Sequence, residues 1–404
     1  MLRSFLVFLF LFRCGGVAFA ISQAQTTAIT PKPAYVCNYK SGTICSEIVT
    51  RASPGNYFNS SGLLVSATNN TARVDYGEPG STTVRGLLQE PKAATNVVLW
   101  NRDLSHWTAT NITEATTVNG IDGAALSATQ MTASAGNGTI LQTISQTSQL
   151  SVQSAYVQRI TGVGEIDMTM DGGTTWTRID CSGGFIDWIT GACNTSTWVR
   201  VKIPAQTIAS LSVGFRIVTN GDVIAVDGVQ NEKSNSGSAG PSSVLLTTSA
   251  SVTRASETIR FFGTPEVALL AQNQGAVIWE GMFPLSPAVN IAIVISNNDT
   301  LLYVTPQPGS YASVTGGAGL TDSSDTVAAN GAVQRFGTTW GGKGRTTCGI
   351  VACKTDTNLL HITNNLLSFP NVAGATMWST GIAIYPQYVS PGLLKSKMVV
   401  GGPF

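Results

Sequence analysis

Apolar and polar residues alternate with a period of two over many short stretches of this chain. Ser151–Ile160 (SVQSAYVQRI), Trp198–Ile203 (WVRVKI) and Leu211–Val218 (LSVGFRIV) show the pattern, and Val223–Val229, Ala276–Met282 and Ile291–Ile295 share it. Successive side chains of a strand point to opposite faces, so each stretch is predicted to be a strand. Asp171-Gly172-Gly173 predicts a hairpin turn between Glu165–Met170 and Thr174–Ile179. Asn297-Asn298-Asp299 predicts a second turn between two apolar runs. Helical periodicity is scarce. One helix is expected over Gly392–Met398, opened by Ser390-Pro391, because proline suits the first helical position. Regular strands with turns between them specify an all-β chain of sandwiches or barrels.

Composition narrows the chemistry. The chain has 404 residues, too many for one ordinary core. Lys+Arg 23 against Asp+Glu 22 leaves a net charge of +1, so no basic excess exists to neutralise a nucleic-acid backbone. A normal apolar fraction, 43%, argues against disorder. His106 and His361 are the only histidines, which removes most chemistry that relies on imidazole.

The first segment reads as an address. Arg3 precedes the unbroken apolar run Phe5–Phe12, and Ala18-Phe19-Ala20 has the small-x-small pattern of a signal-peptidase site. The run is too short to span a bilayer as a helix, so no membrane span is expected after cleavage. Of the seven cysteines, Cys14 leaves with the leader. The rest fall in close pairs, Cys37/Cys45, Cys181/Cys193 and Cys348/Cys353, the pattern of short-range disulfides in an oxidising compartment. Sequence alone does not fix the connectivity, and buried reduced thiols are the competing reading.

Lys233–Ser243 (KSNSGSAGPSS) has the composition of a flexible linker. A short echo is also present, since Thr50-Arg51-Ala52-Ser53 returns as Thr253-Arg254-Ala255-Ser256. Several segments occur in a telling order: Thr50–Asn59 (TRASPGNYFN) with Gly62-Leu63-Leu64, Arg73-Val74-Asp75-Tyr76, Arg85–Pro91 (RGLLQEP), Thr95-Asn96, Trp100, Trp107-Thr108, Thr169–Thr177, Val229–Glu232 (VQNE), Val252–Ser256 and Thr380–Tyr388. In that order they resemble a group of phage and prophage tail-fibre or head-fibre proteins. The likeness covers 50–257 well and 258–404 loosely. It departs from the group at Ala94, where the group carries Arg, and in having an export leader, since tail fibres assemble in the bacterial cytoplasm. The resemblance implies two β-sandwich (jelly-roll) domains in tandem with a short C-terminal helix. The implied division is a signal peptide (1–20), an N-terminal hairpin or extended segment (21–84), a jelly-roll carbohydrate-binding-like domain (85–235), a linker (236–260) and a concanavalin A-like, laminin-G-like sandwich (261–404). It also implies a receptor-binding or decorating role without catalysis. Calcium is the usual structural ion of such sandwiches, and related modules place a ligand for it where Asp222 and Asp227 stand here. Asp322 and Asp325 form a second acidic pair. Neither pair has the dense oxygen spacing of a dedicated calcium loop, and each also reads as solvated surface.

Sugar binding needs ring faces for the C–H side of a pyranose and polar groups for its hydroxyls. Cys181–Cys193 (CSGGFIDWITGAC) offers Phe185, Asp187 and Trp188 on one loop, which a disulfide would preorganise. The same two rings could instead cover a sandwich edge. Trp176, Trp198, Trp279, Trp340 and Trp378 lie in strand-like runs and are expected in the core, whereas Trp100 and Trp107 could be either.

Enzymatic readings fare less well. Gly164-Glu165-Ile166-Asp167 is similar to the acid–nucleophile strand of laminarinase-type glycosidases, but Met170 stands where the second Glu belongs. Asp171 falls one step later, on the opposite face. Glu165 and Asp167 are therefore expected to face solvent. No Gly-x-Ser-x-Gly elbow accompanies the two histidines, expected in a turn (His106) and a strand (His361). The expectation is an exported, non-catalytic glycan-binding protein that attaches to cell-surface polysaccharide. It would be secreted, periplasmic, on the cell surface or on a virion, and as a homo-oligomer such as a trimer it would gain avidity. The rivals are a purely structural virion or envelope component and a polysaccharide depolymerase.

Overall fold

The predicted strands pair into antiparallel sheets. The structure is a computed structural model that describes residues 31–179, 197–233, 241–262, 274–282, 291–294, 300–305, 310–315, 318–323, 333–341, 344–349, 353–356, 366–369 and 376–404. The chain divides into Met1–Lys32 and Pro33–Phe404, and every strand described here belongs to the second unit. The leader lies outside the described residues.

Two five-stranded sheets form the first sandwich. One runs in the order Val199–Ile208, Gln149–Thr161, Val223–Lys233, Ala128–Ala133, Ile112–Val118. The other runs Thr177–Arg178, Ile166–Thr169, Leu211–Ile217, Gly138–Ile144, Thr108–Thr110. Period-2 alternation delivers Ala155, Val157, Val201, Ile224 and Val226 from the first sheet against Ile166, Met168, Val213, Phe215 and Ile217 from the second, all buried in one core. The Asp171-Gly172-Gly173 hairpin forms as expected. Gly172 and Gly173 turn the chain at φ +72° and +89°, which favours glycine, and Asp167 and Met168 then pair with Arg178 and Thr177.

Two larger sheets use the rest of the chain. An eight-stranded sheet is ordered Cys353–Asp356, Gly344–Cys348, Val333–Gly341, Gly275–Met282, Met377–Tyr385, Gly86–Gln89, Val74–Asp75, with Tyr35–Asn38 also on Met377–Tyr385. A seven-stranded sheet runs Ile48–Arg51, Glu257–Phe262, Leu366–Phe369, Ile291–Val294, Thr300–Thr305, Ser310–Thr315, Ala318–Ser323. Strands from residues 35–89 thus sit beside strands from residues 257–385. The expected core tryptophans Trp279, Trp340 and Trp378 are buried in the eight-stranded sheet. The C-terminal helix spans Pro391–Ser396. Ser390 caps it by accepting the Leu393 N–H, Pro391 opens it, and Leu394 enters the core with Ala276, Ile278 and Met398.

Two of the three cysteine pairs are disulfides, Cys37–Cys45 and Cys348–Cys353. The second joins directly opposed residues of Gly344–Cys348 and Cys353–Asp356. Cys181 and Cys193 lie outside the described residues. Non-reducing peptide mapping of the mature protein is expected to recover both linked pairs, and alkylatable thiols at Cys37 or Cys348 would count against the pairing.

Candidate functional site

Phe185, Asp187 and Trp188 fall outside the described residues, as does His361. Within the described residues, a pocket opens where the first sandwich meets the Gly55–Phe58 and Leu64–Ala67 ribbon and the Met377–Tyr385 strand. Its empty volume, open mouth included, is about 480 Å³. Tyr57, Phe58, Tyr156 and Trp378 supply aromatic surface, and Asp75, Arg85 and Arg200 supply charge.

The alternation of Gln149–Thr161 explains part of this site. Ala155 and Val157 point into the sandwich core, so Tyr156 faces the other way. That outer face is not wet. Phe58, Leu64, Ile121 and Val244 bury Tyr156, and the Phe58 ring meets it edge-on at 5.7 Å. Arg200 is the cross-strand partner of Tyr156, and its guanidinium lies 5.6 Å from the Tyr156 ring centroid. Burial pushes the Tyr156 phenol up to about 12, so it stays a neutral hydroxyl near neutral pH.

Asp75 is clamped from two sides. One carboxylate oxygen accepts the Phe58 backbone N–H at 2.8 Å and the other accepts the Trp378 indole N–H at 2.8 Å. Burial pushes this carboxyl above its ordinary value, while those two hydrogen bonds and Arg85 pull it back. Arg85 lies 5.7 Å from the Trp378 ring centroid and 4.0 Å from Glu78. Phe58, Tyr156 and Trp378 are at most 4% exposed, so the half-buried Tyr57 is the ring face that stands beside fixed polar groups, the two elements that saccharide recognition needs.

The remaining motifs converge on a buried ionic cluster rather than on an open surface. Arg51 pairs with Glu257, Arg73 with both Glu90 (2.7 Å) and Glu257 (3.1 Å), and Arg254 with Glu90 (3.1 Å). All five side chains are at most 2% exposed. The two copies of Thr-Arg-Ala-Ser meet there, because the Ala255 N–H donates to Ser53 Oγ at 2.7 Å. The echo therefore marks two contributions to one architectural joint.

Asp222 and Asp227 have separate partners. Asp222 accepts from Arg159 at 3.1 Å and from the Gly164 N–H at 2.7 Å. Asp227 accepts from Arg102 at 2.9 and 3.0 Å and from the Ile121 N–H at 2.8 Å. Burial pushes Asp227 up and Arg102 opposes it. Donors occupy both oxygens of Asp227 and Oδ2 of Asp222, so the pair does not present the set of free oxygens that a calcium ion takes. Among the described residues, three groups with metal-ligand chemistry cluster at Cys37, Cys45 and Glu47, and the disulfide takes up both sulfurs there. The side chains of Asp322 and Asp325 lie outside the described residues.

Asp167 corrects an expectation. Predicted to face solvent, it is 1% exposed and paired with Arg216 at 2.7 Å. Arg216 is its cross-strand partner, and the half-buried Trp176 covers that guanidinium at 4.8 Å. Trp176 thus serves as an outer lid over an ion pair, not as core. Glu165 is more exposed and reaches Arg178 at 3.5 Å and Arg216 at 3.9 Å. Both carboxylates of the glycosidase-like strand face arginines. His106 ends a 3-10 turn as expected and stacks on Trp100 with ring centroids 3.9 Å apart, while Trp107 is buried.

No protein-family model matches the chain, and no curated protein matches it. Among solved structures it is similar to the CBM22-1 xylan-binding domain from Paenibacillus barcinonensis Xyn10C, at 12% identity over 36% of this chain and 96% of that one, with a TM-score of 0.24. It is similar to the CBM22-1-CBM22-2 tandem of the same protein at 10% identity, over 73% and 98% of the chains, with a TM-score of 0.26. Domains LG4-5 of the mouse laminin alpha1 chain are similar at 10% identity, over 63% and 87%, with a TM-score of 0.22. At identities and TM-scores this low, neither family membership nor a ligand passes from those proteins to this chain.

Proposed function

We propose that this is an exported, non-catalytic glycan-binding protein of phage tail-fibre type, which attaches to cell-surface polysaccharide. The observation that carries the reading is the aromatic pocket with Asp75 held between Phe58 and Trp378. In the proposed division, Tyr156 and Arg200 come from the 85–235 module, Trp378 from the 261–404 module, and Tyr57 and Asp75 from the 21–84 segment. A ligand there would touch all three. The two disulfides support an oxidising destination. Among the described residues, no helix is long and apolar enough to cross a membrane. Weak single sites would gain from oligomerisation.

Tyr57 is half-buried and lines the pocket, so it can be truncated with little damage to the fold. Tyr57→Ala is expected to weaken binding to host polysaccharide about three- to tenfold, the worth of one ring contact, in a surface-immobilised binding assay. Trp188→Ala, measured in parallel, tests the Cys181–Cys193 loop. If only that variant loses binding, the loop is the site and the pocket is not.

A second reading has its own observation. The motifs that resemble tail-fibre proteins place Arg51, Arg73, Glu90, Arg254 and Glu257 inside the protein, where they serve architecture. A purely structural virion or envelope role follows if neither variant alters cell binding while assembly fails. Depolymerase activity would show as reducing ends released from capsule and abolished by Glu165→Gln. The arginines facing Glu165 and Asp167 support the expectation of none.

A further inference from the structure

Four arginines buried among the described residues pair with carboxylates. Arg51 has Glu257, Arg73 has Glu90 and Glu257, Arg254 has Glu90, and Arg335 has Glu280 at 2.9 Å. Arg200 differs. It is 9% exposed, yet among the described residues no carboxylate lies within ion-pair distance of it. One terminal nitrogen donates to Ser154 Oγ at 3.1 Å and to the Ser242 carbonyl at 2.7 Å, and Nε has no hydrogen-bond partner. Glu232, two strands away in the sheet, attracts Arg200 only through space, because the Ser242 N–H and hydroxyl and Gln230 occupy its oxygens. A guanidinium removed from water without a direct ion-pair partner is costly, and the protein keeps it at the wall of an open pocket.

The rest of the lining carries one charge of each sign. Arg85 is a second guanidinium in the lining, and the one acidic side chain there, Asp75, already has a donor on each oxygen. A ligand anion would therefore meet two guanidinium groups against one carboxylate whose oxygens are already hydrogen-bonded. A guanidinium matches a carboxylate through two parallel N–H bonds, and such charge-assisted pairs are about twice as strong as neutral ones. Tyr156 lies beneath Arg200 and holds its plane at the pocket wall.

We infer that the pocket selects acidic saccharides, with the sugar's carboxylate placed against Arg200 as its direct ion-pair partner. The inference rests on the glycan-binding reading and specifies its ligand class. Uronic-acid and sialic-acid residues carry this chemistry on a ring that the aromatic walls can hold, and sulfated or phosphorylated sugars share the charge without the planar fork.

The test is a printed panel of neutral, uronate-containing, sialylated, sulfated and phosphorylated oligosaccharides, probed with the full-length protein, Arg200→Met and Tyr57→Ala. The wild type is expected to retain carboxylate-bearing members at least about tenfold better than neutral ones. Methyl esterification of a bound uronate should remove that advantage on the unaltered protein, which keeps the test valid if Arg200→Met fails to fold. Arg200→Met should lose acidic ligands about 10- to 100-fold, a larger loss than it shows for neutral ones. If neutral members bind as well as acidic ones and only Tyr57→Ala weakens them, the acidic preference is wrong and the pocket reading stands. Preference for sulfate or phosphate over carboxylate would also overturn the assignment. If no member binds, or both variants bind like the wild type, the pocket reading falls and takes the acidic preference with it.

Discussion

Glu257→Gln is expected to cost about 3–5 kcal/mol of unfolding free energy, the usual effect of breaking a buried ion pair from one side. Glu257 is 2% exposed and receives Arg51, Arg73 and the Glu90 N–H. The amide is nearly isosteric, so packing is kept while two guanidinium groups lose their shared anion. The damage should reach the sheet, because Glu257–Arg260 is the stretch that pairs with Ile48–Arg51. Urea unfolding at constant slope measures it, and a loss below about 1 kcal/mol would show that the cluster is no keystone. Its partner Glu90 adds a pH signature. Burial alone would raise this carboxyl, but Arg254, Arg73 and Ser243 outweigh burial and hold it at about 2, below its ordinary 4.5. A depressed folded-state value means that the contribution is full above pH 4.5 and is lost as pH falls towards 2. The stability difference between wild type and Glu90→Gln should therefore shrink across that window. A difference that stays flat there would exclude the linkage.

Gly86→Ala is expected to be about as damaging for a different reason. Gly86 has φ +137°, and a Cβ on it would lie 2.3 Å from the Ser379 carbonyl oxygen. Backbone strain of this kind costs about 1–3 kcal/mol before any steric term is added. The clash falls where Gly86–Gln89 lies between Val74–Asp75 and Met377–Tyr385. Relief requires those strands to part, which separates Asp75 from the Trp378 indole. Lower thermal stability together with changed tryptophan emission and lost glycan binding is the expected combination. Unchanged binding at full stability would mean that the strands can adjust without opening the pocket.

Local chemistry was legible in the sequence, and closure between distant segments was not. Alternation located Gln149–Thr161, Leu211–Ile217 and Gly275–Met282, the Asp-Gly-Gly turn located its hairpin, and Ser390-Pro391 located the helix. Cysteine spacing found two disulfides. Alternation cannot say what covers the second face of a strand. Tyr156 and Arg200 alternate like half-wet positions, yet Phe58, Leu64 and Val244, which bury Tyr156, come from far along the chain. Asp167 misleads for the same reason, since the arginine that neutralises it is supplied by the neighbouring strand. The pocket residues were in plain view within motifs, Tyr57 in TRASPGNYFN and Asp75 in RVDY. For Asp75 the usable signal was an acid set between Val74 and Tyr76, and for Tyr57 it was only a ring in a polar, turn-like stretch of sequence.

Met377–Tyr385 receives Tyr35–Asn38 and Gly86–Gln89 on one edge and Gly275–Met282 on the other. During synthesis its N-terminal partners emerge first and stay unzipped until Met377–Tyr385 itself leaves the ribosome. Such distant pairings are slow to form, because loop-closure entropy must be met before any contact rewards it. Residues 35–89 are thus kept pliable until Met377–Tyr385 has been made, whereas the first sandwich, built from strands between Thr108 and Lys233, can close earlier. The same delay leaves open β edges vulnerable to sticking, so overproduction without a holding chaperone should favour inclusion bodies.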